Sequence, residues 1–148
     1  MIQQPYKIER VFNAPVTEVW KALTEKELMK EWYFNLPEFK PAVGFKFEFT
    51  GGPTPEKQYL HVCEIVEVIP EKKLKHTWRY DGYAGNSFLT FELFAEGDKT
   101  KLVLTHEGLE TFPSTNLDFA ISNFADGWSF IINTSLENFL SKIGRAHV

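Results

Sequence analysis

Three histidines have the chemistry to bind a metal or to move a proton. His61, His76 and His106 each fall on a predicted strand, at a position where alternation turns the side chain inward. Neutral imidazole binds metals and can act as an acid or a base near neutral pH. However, no carboxylate shares an inward face with them at a useful spacing. We therefore expect buried pocket or core histidines, with His106 as the best polar anchor, and we predict no metal site and no cofactor.

Nucleophilic chemistry finds no support in the sequence. There is no Gly-x-Ser-x-Gly motif, and the single cysteine, Cys63, lacks the charged neighbours that would activate a thiol. The run Gly51-Gly52-Pro53 lacks the Gly-Lys-Ser/Thr ending of a phosphate-binding loop, so we interpret it as a turn or a loop at a cavity mouth. We predict no catalytic residue and favour binding over catalysis.

Aromatic side chains are the most unusual part of the composition. The chain has 14 Phe, 5 Tyr and 4 Trp, 16% of its residues. Large rings can line a pocket for an apolar ligand, or they can pack into a filled core. Alternation and helical spacing turn ten rings inward, and these ten, with the three histidines, are the predicted ligand-binding residues: Trp32, Phe47, Phe49, Tyr59, Trp78, Tyr80, Phe91, Phe119, Phe124 and Trp128. Tyr59, Tyr80 and His106 are expected to orient a polar group.

The elements that position these residues follow from hydrophobic periodicity. Alternation with a period of two predicts strands near residues 6–12, 43–50, 58–69 and 74–80, with a bulge between Glu64 and Glu67. Two further strands are predicted on either side of a turn at residues 96–99, one with Leu89 and Leu93 on one face and one with Leu102 and His106 on one face. Two short helices follow the first strand, at about residues 15–24 and after Thr24, where Glu27 completes a capping box. Apolar residues spaced by three and four then predict a long helix that begins near Leu117.

This order predicts an α+β fold. Consecutive strands joined by short connections form an antiparallel sheet of about six strands, and the long C-terminal helix must cover its apolar face. The 148 residues suit one domain, residues 1–142. Residues 143–148 come after the end of the amphipathic pattern, do not continue it, and are interpreted as a non-native or disordered tail.

Several classes of protein are excluded by the gross features. The net charge is −4 and there is no basic cluster, so we expect no nucleic-acid partner. No apolar run is long enough for a membrane span, and the start of the chain does not resemble a secretory signal. With one cysteine, no internal disulfide can form. We expect a cytoplasmic protein that is a monomer or a homodimer.

The chain resembles a known family along most of its length. The similarity lies in the order and spacing of these segments: Phe12-Asn-Ala-Pro15 through Thr24, Leu28 to Trp32, Val43-Gly44, Ile69-Pro70 to Trp78, Gly97 to Gly108, and Gly127-Trp128 with Leu136 and Phe139. They resemble the family of homologues of the activator of heat shock protein 90 ATPase, in the START-like (SRPBCC, Bet v 1-like) superfamily. Tyr33 and Cys63 depart from that pattern, which often has Trp and Gly there.

The resemblance implies a helix-grip fold with a hydrophobic cavity between the sheet and the C-terminal helix. It leaves three functions open, because one fold supports many activities. The first is binding of a small hydrophobic molecule. The second is a co-chaperone-like module that stimulates a heat shock protein 90 type ATPase, with a chaperone as its partner. The third is a polyketide aromatase/cyclase-like enzyme.

Overall fold

Six antiparallel strands and a long C-terminal helix form the framework of the protein. The computed structural model describes residues 5–33, 36–113 and 115–146. The strands are β1 (Tyr6–Phe12), β2 (Lys46–Thr54), β3 (Lys57–Ile69), β4 (Lys73–Tyr80), β5 (Ser87–Glu96) and β6 (Lys99–Glu107). They pair in the order β1-β6-β5-β4-β3-β2. The predicted antiparallel sheet of six strands is confirmed.

Two short helices connect β1 to β2 and close one end of the sheet. Helix α1 (Val16–Thr24) begins after Pro15, and α2 (Lys26–Met29) follows at once. The predicted capping box is wrong, because Thr24 ends α1 and its hydroxyl donates to the Trp20 carbonyl at 2.8 Å. Trp32 donates its indole N–H to the Ala22 carbonyl at 2.9 Å, which ties the turn after α2 to α1.

Strand β2 differs from its predicted bounds at both ends. It begins at Lys46, because Gly44 takes a left-handed φ of 91° and Val43 lies exposed before it. It also continues to Thr54 through the glycines that were expected to form a loop. Its pairing with β3 shifts register between Gly51 and Thr54. The bulge predicted in β3 is confirmed by the register shift between Ile65 and Glu67.

The C-terminal helix lies across the inner face of the sheet. It consists of α3 (Ile121–Phe130), a π-helical segment (Ile131–Leu136) and α4 (Glu137–Ala146). It begins later than predicted, because a 3₁₀ turn (Leu117–Phe119) precedes it. A hydrogen bond of 3.4 Å from the Tyr6 hydroxyl to the Ala125 carbonyl joins α3 to β1.

The backbone of the predicted tail is helical as far as Ala146. Residues 147 and 148 lie outside the described residues. The interpretation of residues 143–148 as a non-native tail stays a prediction, as does the single domain over residues 1–142. Within the described ranges, no helix combines the length and the apolar character that a membrane span requires.

Candidate ligand-binding site

A pocket of about 490 Å³ lies between the sheet and the C-terminal helix. The volume is within the range of small-molecule sites, roughly 300–1,000 Å³. Among the described residues, its wall contains four aromatic rings, two glycines, one carboxylate, one amide and one aliphatic side chain: Trp78, Tyr80, Phe124, Trp128, Gly52, Gly127, Asp118, Asn123 and Ile131. We call it the open pocket.

Two regular elements supply most of this wall. On β4, Trp78 and Tyr80 are two residues apart and therefore point to the same side of the sheet. On the C-terminal helix, the wall residues are spaced by three and four, which places them on one helical face: Asn123, Phe124, Gly127, Trp128 and Ile131. The rings of Trp78 and Trp128 meet with centroids 5.4 Å apart, at the base where sheet and helix touch.

Glycines keep part of the open pocket empty. A Cβ atom at Gly127 would have no neighbour within 4 Å. Gly127 is exposed on α3, so a side chain at this position would begin in open space at the edge of the pocket. Glycine is required at position 52 for a different reason. A Cβ atom there would overlap the carbonyl oxygen of Lys57, where β2 and β3 approach closely. The missing side chain leaves space at Gly127, and at Gly52 it lets β2 and β3 approach closely.

The polar atoms of both indoles in the pocket wall are satisfied inside the protein. Trp78 donates its N–H to the Tyr80 hydroxyl at 3.0 Å, and Trp128 donates to Nδ1 of His106 at 3.1 Å. Neither indole N–H needs an acceptor from a ligand, so both indoles contribute apolar ring surface to the pocket. The Tyr80 hydroxyl accepts a hydrogen bond from Trp78, and its own proton finds no acceptor among the described residues. Tyr80 can therefore donate to a ligand.

His106 is fully engaged behind the pocket. Because Nδ1 accepts from Trp128, the proton of the neutral ring is on Nε2, which donates to Ser87 Oγ at 2.8 Å. Ser87 in turn donates to the Trp78 carbonyl at 2.7 Å. Burial, with a smaller contribution from His76, lowers the pKa of His106 to about 3. The ring therefore fixes Trp128 and Ser87 as a neutral group, which limits its use as an acid or a base.

The other two inward histidines are neutral for the same reason. Burial lowers the pKa of His61 to about 4 and that of His76 to about 4. Each Nδ1 donates to a backbone carbonyl, from His61 to Tyr59 at 3.0 Å and from His76 to Thr77 at 2.8 Å. Across residues 5–33, 36–113 and 115–146, no three His, Cys, Asp or Glu side chains come together in a group that could hold a metal ion.

A carboxylate stands at the side of the pocket, on the 3₁₀ turn before α3. The Tyr59 hydroxyl donates to Oδ2 of Asp118 at 2.6 Å, and Lys57 Nζ lies 3.6 Å from the same oxygen. Asn116 supports the arrangement, since its amide donates to the Tyr59 hydroxyl at 3.3 Å and its Oδ1 accepts the Asp118 backbone N–H at 3.0 Å. The hydrogen bond to Asp118 is the main reason why the pKa of Tyr59 is raised. Tyr59 is thus a donor that orients Asp118.

The structure divides the predicted site residues into three groups. Four line the open pocket: Trp78, Tyr80, Phe124 and Trp128. Four surround a void of about 10 Å³ beneath α1 and α2, which we call the closed end: Trp32, Phe47, His76 and Phe91. The remaining five pack in the ring cluster beside these two spaces: Phe49, Tyr59, His61, His106 and Phe119. All thirteen are buried except the half-buried Tyr59, so the predicted inward orientation is confirmed. Their role in binding a ligand stays a prediction.

Sequence reasoning missed five residues of the pocket wall: Gly52, Asp118, Asn123, Gly127 and Ile131. Helical spacing from Phe124 and Trp128 also points to Asn123, Gly127 and Ile131, but the predicted site contains aromatic rings and histidines alone. Asp118 is missed because helical spacing predicts a helix from Leu117, whereas the segment forms a 3₁₀ turn. The sequence places Gly52 in a turn or loop at a cavity mouth but not in the wall itself, because its position depends on the irregular pairing of β2 with β3.

The sheet, the long helix that it grips and the pocket between them define a START-like helix-grip protein of the SRPBCC type. The model of the family described as "Activator of Hsp90 ATPase homolog 1-like protein" matches residues 13–141. The chain therefore belongs to that family, and the resemblance seen in the sequence is confirmed. No curated protein matches the chain.

Solved structures share this fold over nearly the whole chain. The protein MLL2253 from Mesorhizobium loti is 27% identical, with a TM-score of 0.74 over 94% of this chain and 98% of the other. Mll3558 from Rhizobium loti is 18% identical, with a TM-score of 0.79 over 93% and 96%. DynU16, a protein of the dynemicin biosynthetic locus, is 19% identical, with a TM-score of 0.76 over 94% of this chain and 48% of the other. The predicted helix-grip fold is confirmed.

Proposed function

We propose that this protein binds a small apolar molecule in the open pocket between β4 and α3. The observation that carries the proposal is the wall itself, in which the rings of Trp78, Tyr80, Phe124 and Trp128 surround about 490 Å³. Burying apolar ligand surface against such rings contributes about 25 cal/mol per Å². The Tyr80 hydroxyl and the Asp118 carboxylate are the polar groups that would orient the ligand.

Binding is favoured over catalysis by the state of the histidines. A general base needs a free lone pair and a pKa near the working pH. His106 uses both ring nitrogens in hydrogen bonds, to Trp128 and Ser87, and burial lowers its pKa to about 3. The cyclase-like alternative would therefore have to rely on pocket shape and on Asp118. The likeness to DynU16 at 19% identity concerns the fold alone.

The experiment measures binding of N-phenyl-1-naphthylamine, a neutral apolar fluorophore whose emission rises when it leaves water. The variant Gly127→Phe puts a ring into the open space at Gly127. We expect wild type to bind the probe and Gly127→Phe to bind it at least about tenfold more weakly, because the pocket is already filled. Circular dichroism shows whether the variant is folded.

The matched control is Ser122→Phe, which adds the same ring at an exposed position of α3 outside the pocket wall. It should bind the probe like wild type. No binding by wild type, or equal binding by Gly127→Phe, would refute the proposal. Stimulation of a heat shock protein 90 ATPase by wild type and Gly127→Phe alike, with no probe binding, would instead support the co-chaperone alternative that the family description suggests.

A further inference from the structure

We propose that the open pocket selects an apolar molecule that carries a protonated amine, and that Asp118 binds this amine. The inference rests on the proposed function, because it names the class of ligand for the same pocket. It follows from the charge of the wall, from the way Asp118 is held, and from the position of Lys57.

The described residues of the pocket wall carry one formal charge, and it is negative. Among the described residues that line the pocket, Asp118 is the charged one, and the others are aromatic, aliphatic, amide or glycine. The rings of Trp78, Tyr80 and Trp128 also favour a cation, because the face of an aromatic ring carries negative partial charge. An anionic ligand would be repelled by Asp118 and would meet no cation among the described wall residues.

Asp118 is held in position with one oxygen left for a ligand. Its hydrogen bond from Tyr59 and its ion pair with Lys57 both use Oδ2. Within the described residues, no protein donor is assigned to Oδ1. The Asp118 backbone N–H is bound by Asn116, so the turn that carries the carboxylate is fixed as well. Tyr59 and Asn116 thus position Asp118, and a ligand amine can donate to Oδ1.

Lys57 does not cancel this preference. Its side chain is 66% exposed, lies 3.6 Å from Asp118 Oδ2 and is outside the pocket wall. An exposed ion pair of this kind contributes little, because water screens it and the long lysine side chain loses entropy on pairing. The apolar part of a bound ligand would hold its amine next to Asp118. The amine would therefore compete well with Lys57 for the carboxylate.

The test compares three naphthalene probes of nearly equal size and different charge. They are the cation of 2-(1-naphthyl)ethylamine, the neutral 2-(1-naphthyl)ethanol and the anion of 1-naphthaleneacetic acid. Alkyl amines are protonated at neutral pH. A charge-assisted hydrogen bond in a partly dry pocket should make the amine bind about tenfold more tightly than the alcohol, and the acetate should bind most weakly. This comparison uses wild-type protein, measured by calorimetry, and needs no variant.

Two substitutions and one control locate the effect. Asp118→Asn should remove the preference for the amine while keeping the affinity for the alcohol. Lys57→Met should increase the affinity for the amine, because a competing cation is gone. Asp98→Asn makes the same change of charge in the exposed turn between β5 and β6 and should leave the preference as in wild type.

The outcomes separate this inference from the proposed function. Equal affinities for amine and alcohol in wild type, or a preference that survives Asp118→Asn, would overturn the role of Asp118 and leave apolar binding in place. Failure of all three probes to bind would overturn both. A preference of about tenfold that Asp118→Asn abolishes and Asp98→Asn retains would establish the inference.

Discussion

The closed end and the open pocket are built from the same kinds of residue, yet one is filled and the other is not. The closed end places Phe47, His76 and Phe91 of the sheet against Met29 and Trp32, and only about 10 Å³ is left. The open pocket places two sheet rings against two helix rings, and about 490 Å³ is left.

The difference lies in what approaches the rings from the opposite side. At the closed end, α1, α2 and the chain that follows bring in side chains that fill the gaps, and the Phe39 ring packs edge-on against Phe47 with centroids 5.2 Å apart. At the open pocket, α3 presents Gly127, where a Cβ atom would meet no neighbour within 4 Å. A high aromatic content is thus compatible with both a core and a cavity, and the residues facing the rings decide between them.

The largest expected effect comes from truncating one aromatic ring in the closed end and one in the open pocket. Phe47→Ala should lower the free energy of unfolding by about 3–5 kcal/mol, because it leaves a cavity in a filled region. Phe124→Ala should cost less, because that ring already borders an empty space. Urea unfolding monitored by circular dichroism measures both. Equal losses for the two variants would contradict the distinction between a filled and an open region.

An effect of intermediate size concerns His76 at the closed end. Its pKa is about 4 in the folded protein and about 6.5 when exposed, so the unfolded chain binds more protons between these values. The neutral His76 ring therefore makes its full contribution to the free energy of unfolding above pH 6.5, and this contribution is lost as the pH falls towards 4. At pH 5 this loss is about 2 kcal/mol for the one histidine.

The variant that isolates this loss is His76→Phe, which cannot take up a proton. Between pH 7 and pH 5, its free energy of unfolding should fall by about 2 kcal/mol less than that of wild type. His61 and His106, which are also buried and neutral, remain in both proteins and serve as an internal reference. Parallel pH profiles for the two proteins would show that water reaches His76 and that the closed end is not closed.

The smallest effect is a gain of stability at the open pocket. Gly127→Ala should stabilise the folded protein by about 0.5–1 kcal/mol, because alanine favours the helix and its Cβ meets no neighbour. The same methyl group should slightly weaken binding of N-phenyl-1-naphthylamine. Thermal unfolding and a probe titration measure the two changes. A loss of stability would mean that the space at Gly127 is not empty.

Much of the fold could be predicted from the sequence because strands and helices have distinct periods. Alternation located β3 and β4 and turned Trp78 and Tyr80 to one side, and helical spacing placed Phe124 and Trp128 on the face opposite. Local hydrogen bonding was harder to predict. Thr24 has a residue type suited to a helix N-cap, but its hydroxyl bonds back to Trp20 within α1.

The linear order of residues determined that rings would face each other across an antiparallel sheet and a long helix, because inward orientation depends only on local periodicity. It did not determine where space remains, because that depends on the distance between elements that are far apart in the chain. Only the tertiary structure showed that Trp32 and Phe47 are packed against other side chains while Trp78 and Trp128 border a pocket. It also brought Asp118 to Tyr59, across a sequence separation of 59 residues, and so placed a carboxylate in the wall of that pocket.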